Sequence, residues 1–259
     1  SVTYAALQQN TIGSENTAVG VGALGQNTSG SQNVAIGTKA LQSNTVGRYS
    51  TAVGHNAGYS NTSGGVTAFG GLALYSNTTG IANTGIGGED VTAGVYGALY
   101  NNTIGSYNVA VGTGAMVGNV TGSNNTAVGY RALYSNSVSN NTAFGNLALG
   151  GNTSGTPNDA FGSSALTSNT TGAYNVAVGY SSLSSNTTGT ENTAVGYLAL
   201  QSNTNASGST AMGRAALYAN TAANNSAFGR NALVANTTGT PNDAFGAYAL
   251  TANTTGYAN

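Results

Sequence analysis

Small, apolar and turn-forming residues recur along this chain on a fixed beat. Segments resembling N-T-A-V-G start at residues 16, 33, 50, 66, 91, 108, 125, 141, 158, 175, 192, 209, 225 and 242, mostly 17 and sometimes 16 residues apart. The consensus is N-T-A-V-G-Y-x-A-L-x-S-N-T-T-G-x-x. One interval is longer, and within it residues 83–90, NTGIGGED, read as an extra half-unit before the start at 91. Repetition at a short fixed period marks a solenoid.

Let the Asn of each unit be position 0. Position 2 is Ala (Ala18, Ala35, Ala52, Ala127, Ala177) and position 3 is Val, Ile, Phe or Met. Position 4 is Gly (Gly20, Gly37, Gly129, Gly196), position 7 is mostly Ala and position 8 mostly Leu (Leu24, Leu41, Leu133, Leu200). Positions 1 and 3 share one face of a strand, because strand side chains alternate with a period of two. Position 2 then faces the other way and admits only a small side chain. This predicts two packed faces, and the Ala face suggests burial against another chain. A second strand is predicted over positions 6–10. Gly at position 4 and N-T-T-G at 11–14 supply the corners, by positive φ and by local Asn hydrogen bonds. No 3.6-residue period survives, so the predicted fold is an all-β solenoid of 16–17-residue coils in a single repeat domain over residues 1–259. Some fifteen coils spaced about 4.8 Å apart would make a rod of roughly 70 Å, with Asn, Leu and Thr ladders holding the register.

The repeat also disposes of a tempting motif. Residues 20–25, G-V-G-A-L-G, spell G-x-G-x-x-G. Gly20 belongs to the position-4 column, whereas Gly22 and Gly25 are replaced by Lys39 and Gln42 in the next unit. No acidic residue follows about twenty positions on, and no βαβ unit surrounds the match. These glycines serve turns, not a nucleotide.

Composition narrows the function. Only 4% of residues are charged and the net charge is −1. The cations Lys39, Arg48, Arg131, Arg214 and Arg230 are scattered, which argues against nucleic acid, whose binding needs clustered Lys and Arg. Without cysteine there is no disulfide framework or thiolate site. No signal pattern and no bilayer-spanning apolar run is present, so the segment predicts no membrane span.

The stretches N-V-A-V-G-Y-S-S-L (175–183) and N-V-A-I-G-T-K-A-L (33–41) resemble the head repeat of trimeric autotransporter adhesins, the YadA-like head, and similar repeats occur in phage and virus fibres. The resemblance covers nearly the whole chain, although that family's common unit has 14 residues and this one 17. It implies a left-handed parallel β-roll, three chains to a head, on an extracellular, cell-surface or virion fibre with a host-surface ligand.

Candidate chemistry is sparse, and no enzyme or cofactor is expected. His55 is the only histidine and has no recurring Ser or Asp partner. Asp159 and Asp243 lie 84 residues, or five coils, apart. That separation is roughly 24 Å, too far for a carboxylate pair working over roughly 5–10 Å. Glu89 and Asp90 fall in the extra half-unit, where a cation site competes with a solvated loop. Asn27, Asn61, Asn77, Asn152, Asn169, Asn186, Asn236 and Asn253 each open an N-T-T or N-T-S sequon at the same corner. They are candidate glycan acceptors, with the adjacent Thr hydroxyls as alternatives, and a carbohydrate coat would solubilise a surface so poor in charge. Adjacent Thr pairs raise ice binding, although a T-x-T spacing would suit that better. Residues 1–15 are a unit lacking its first two positions, and Asn259 opens another unit. That phase predicts head-to-tail stacking or a longer fibre. The expected function is a structural, adhesive fibre or head, with a glycan-coated filament and an ice-binding solenoid as alternatives.

Overall fold

The computed structural model describes residues 5–259; the first four residues of the incomplete opening unit lie outside that range. The chain forms two compact units, one ending at Ser137 and one beginning at Val138. The first contains β1 (Thr17–Val19), β2 (Val34–Ile36), β3 (Thr51–Val53), β4 (Thr67–Phe69), β5 (Thr84–Ile86), β6 (Val109–Val111) and β7 (Thr126–Val128). The second contains β8 (Asn141–Phe144), β9 (Asn158–Phe161), β10 (Asn175–Val178), β11 (Thr193–Val195), β12 (Thr210–Met212), β13 (Asn225–Phe228) and β14 (Asn242–Phe245). Within each unit every strand pairs in parallel with the next along the chain, like residue on like: Ala18 on Ala35, Asn158 on Asn175, Phe228 on Phe245. The described residues contain no helix. The fold is the all-β solenoid that the period predicts.

The strands are short because position 4 stops them. Gly179 sits at φ +128, and a Cβ there would lie 2.7 Å from the carbonyl carbon of Gly196 in the next coil. Only glycine meets both demands.

Three expectations are corrected. The first is the sense of the strand faces. The Ala column points inward: Ala35, Ala52, Ala127 and Ala177 are fully buried, packed with the position-7 alanines and the position-8 leucines. Positions 1 and 3 point outward, so the Ala column needs no second chain to cover it. The interior is thin, and only a methyl group fits opposite each leucine.

The second concerns positions 6–10, which are overlapping turns rather than a strand. Backbone donors alternate there. The N–H groups of Ala23, Gly25 and Asn27 donate locally, to Gly20, Gly22 and Leu24, while those of Leu24 and Gln26 donate to Ala40 and Gln42 in the next coil. This alternation puts Leu at positive φ in coil after coil, as at Leu24 (49°), Leu133 (50°) and Leu200 (52°). A left-handed non-glycine residue costs about 1–2 kcal/mol. Full burial of a leucine side chain contributes about 1.5–3 kcal/mol and offsets it.

The third is the irregular coil. Strand β5 begins at Thr84 and pairs Thr84 with Thr67, so the unit starts at Asn83, not at residue 91. Here Gly85 takes the Ala position. The surplus follows the strand: Asp90 and Val95 exchange both backbone hydrogen bonds as an antiparallel bridge, at 2.8 and 2.9 Å, and residues 91–94 form its turn.

Candidate functional site

With its interior filled by the Ala and Leu columns, the molecule presents the outer face of its strands as its most regular surface. Position 3 is a column of exposed apolar side chains. In the first unit Val19 is 58% exposed and Phe69 55%; in the second, Phe161 is 40% exposed and Phe245 70%. The Phe144 and Phe161 rings stack at 5.3 Å and those of Phe228 and Phe245 at 4.9 Å, close to the strand spacing. Beside this column runs position 1, mostly Thr, with Asp159 and Asp243 exposed in β9 and β14. Contiguous exposed apolar surface of this kind marks a contact surface.

The corner opposite is a knot of buried amides. The Asn169 side-chain nitrogen donates to Asn152 Oδ1 at 2.8 Å and to the Gly172 carbonyl at 2.9 Å. Its oxygen accepts from the Asn186 amide at 2.8 Å. The position-0 asparagines form a second ladder: Asn175 donates to Asn158 Oδ1 and to the Gly189 carbonyl. In most coils the Thr hydroxyl after the corner Asn is also committed, as Thr170 Oγ1 donates to the Thr187 carbonyl at 3.0 Å. These are the ladders expected from the repeat, with the Thr rank bonded to backbone rather than to Thr side chains.

This geometry revises the glycan assignment. Asn27, Asn61, Asn77, Asn152, Asn169, Asn186 and Asn236 are fully buried, and Asn253, in the final coil, is half-buried. A sugar on such a nitrogen would replace a ladder proton and would have no room. The N-T-T-G corner is turn chemistry.

No family model, curated protein or solved structure matches this chain. Its function must therefore be argued from its own surfaces.

The other candidate residues stay apart. His55 is exposed, and its ring nitrogen lies 3.1 Å from the neighbouring Asn56 amide. Asp90 caps its own turn: one carboxylate oxygen accepts from the Thr92 hydroxyl at 2.6 Å, the Thr92 N–H at 3.0 Å and the Ala93 N–H at 3.2 Å. The Thr92 hydroxyl, then the Ala93 N–H, hold its pKa below the ordinary carboxylate value. Among the described residues no three His, Cys, Asp or Glu side chains converge on a metal site, and no helix is long and apolar enough to cross a membrane.

One feature of this region escapes the repeat reading. Position 9 holds Tyr59, Tyr75 and Tyr100 in successive coils, stacked at 5.1 and 5.2 Å, and Tyr96 from the insertion adds a fourth ring at 4.2 Å. Burial, followed by the neighbouring Tyr75 and Tyr96 phenols, raises the Tyr100 pKa. Recurrence of Tyr at position 9 is the signal that could have found the stack.

Proposed function

We propose that this chain is a structural element of an extracellular fibre or adhesin head, with the outer strand face as its self-association surface. The observation that carries the reading is the position-3 column. It is apolar in coil after coil, yet it points away from a core already filled by Ala and Leu. A period that serves only the fold would place polar residues there. The resemblance to trimeric adhesin heads supports three chains with these faces turned toward one another, and a host-surface ligand at the remaining surface.

Native mass tests this. A chain weighs 25.3 kDa; the expected species is a discrete trimer, or a longer head-to-tail fibre. Phe161→Lys with Val178→Lys places two charges on the outward column, 40% and 37% exposed in the present fold. Expected is dissociation to single chains with an unchanged circular-dichroism spectrum. A wild-type chain that is monomeric at high concentration would remove the reading.

A further inference from the structure

Except where it is Pro157 or Pro241, the last residue of a coil adopts positive φ, and in four successive coils it is Tyr49 (60°), Gly65 (73°), Ala82 (53°) and Tyr107 (58°). Shared backbone geometry aims all four outward in the same way. Two tyrosines, 66% and 58% exposed, thus stand three coils apart, about 14 Å, with almost nothing between them. The floor is lowered further because the Asn61–Val66 corner has one residue fewer than its neighbours. A Cβ built on Gly65 would meet nothing nearer than the Ala82 nitrogen, at 4.0 Å. The result is an open trough of about 570 Å³, edged by the exposed Ile81 and by Arg48. Small-molecule sites typically span about 300–1,000 Å³. The short corner at Asn220–Asn225 builds no such walls: Asn224 occupies the equivalent position, between Gly208 and Pro241.

Arg48 sets the charge of the trough. Arg131, Arg214 and Arg230 each lie over tyrosine rings, 4.7–5.8 Å from the centroids. Among the described residues Arg48 lies over no ring and pairs with no carboxylate, and no acidic residue lines the trough. The hydroxyls of Thr62 and Ser63 are already spent on the Thr78 and Gly80 carbonyls, so the lining offers few groups to a polyhydroxylated ligand. What remains is aromatic and aliphatic surface with one guanidinium fork, which suits a planar anion.

The geometry points to a binding site for a small amphipathic anion, a flat apolar body carrying one carboxylate or sulfonate. The body lies between Tyr49 and Tyr107 and the anionic group meets Arg48.

The probe is 8-anilinonaphthalene-1-sulfonate, titrated by fluorescence against the intact chain, with uncharged N-phenyl-1-naphthylamine as control. Gly65→Tyr should close the trough and leave the fold intact, because Tyr49, Tyr107 and Tyr174 hold the same register position at φ 58–60°. Expected is saturable binding that Gly65→Tyr abolishes for both dyes. Arg48→Gln should weaken the sulfonate about tenfold, the worth of one charge-assisted hydrogen bond, and the neutral dye less than twofold. Tyr107→Ala provides a second test that does not depend on how Gly65→Tyr folds, and should weaken both dyes. Wild-type titrations in Arg48→Gln and Tyr107→Ala would place the dye elsewhere, for instance on the outer strand face, and overturn the site. Equal weakening of both dyes by Arg48→Gln would overturn the anion assignment.

Discussion

The regular corner at Asn169 and the short corner at Asn220 differ by one residue, and the amide ladder registers it. At Asn169 both side-chain protons and the oxygen are paired, along the ladder and to Gly172. At Asn220 the chain cuts across early, and the side-chain nitrogen turns to the Ala222 carbonyl at 2.6 Å. Its former acceptor, Asn203 Oδ1, is buried without a donor. The short corner in the first unit repeats the pattern: Asn61 turns to the Ser63 carbonyl and Asn44 Oδ1 is left bare. In both of these shorter coils the core columns are kept and one ladder bond is given up, whereas the third short corner, at Asn136, keeps a stretched bond of 3.5 Å to Asn119 Oδ1.

The largest expected effect breaks the regular corner outright. A Cβ on Gly172 would lie 2.4 Å from the Gly189 oxygen and 2.5 Å from Asn169 Oδ1, and neither atom has room to move. Gly172→Ala should cost more than about 3 kcal/mol, in the range of strong overpacking. Gly65→Ala, in the short corner, should stay within about 1 kcal/mol of wild type. Its methyl would enter open space at φ 73°, in the positive-φ region where Ala82 sits at 53°, and the lost backbone freedom of the unfolded chain partly offsets the strain. Denaturant midpoints of the two variants measure the difference, and equal losses would refute the assignment of the clash.

The amides come next. Asn169→Ala strands Asn152 Oδ1 and one proton of the Asn186 amide, while the Gly172 carbonyl keeps its bond from Asn158, and should cost about 3 kcal/mol. Asn203→Ala strands only Asn186 Oδ1, because its own oxygen is already unpaired and the Ala206 carbonyl keeps its bond from Asn192, and should cost about 1 kcal/mol less. The converse experiment lengthens the corner between Asn220 and Asn225 to the regular T-T-G-x-x. This should restore a donor to Asn203 and raise stability by about 1 kcal/mol. A lengthened corner that gains nothing would show that the bare oxygen is satisfied by water.

The columns were legible in the sequence because a solenoid prints its period directly. Which side of the strand faces inward was not. T-A-V has apolar character on both faces, and a period of two fixes alternation without fixing parity. Ala at position 2 in coil after coil reads as close packing from outside, whereas it is the interior of a coil with space for one methyl opposite Leu. The turn side read as a strand because nothing in A-L-x-S announces a leucine at φ near 50°. The N-T-T-G asparagines read as glycan sites because a sequon and a buried ladder residue share one spelling. Residues 91–94, V-T-A-G, imitate a unit start closely enough to shift the boundary by a whole insertion.

That insertion supplies the smallest effect, and it contrasts with both corners because its polar group is satisfied within its own turn. The bonds from the Thr92 hydroxyl and the Ala93 N–H depress the Asp90 pKa below its ordinary value. A depressed folded pKa means a contribution that is complete above the unfolded value, near 3.9, and is lost as pH falls through the lower folded value. The amide protons of Thr92 and Ala93 should therefore be held against exchange at pH 5 and released progressively below about pH 4. Those of the Asn169 corner, which contains no carboxylate, should not respond. Asp90→Asn should flatten the pH response of the turn while keeping an acceptor for the same donors. A pH response that survives in Asp90→Asn would refute Asp90 as its origin.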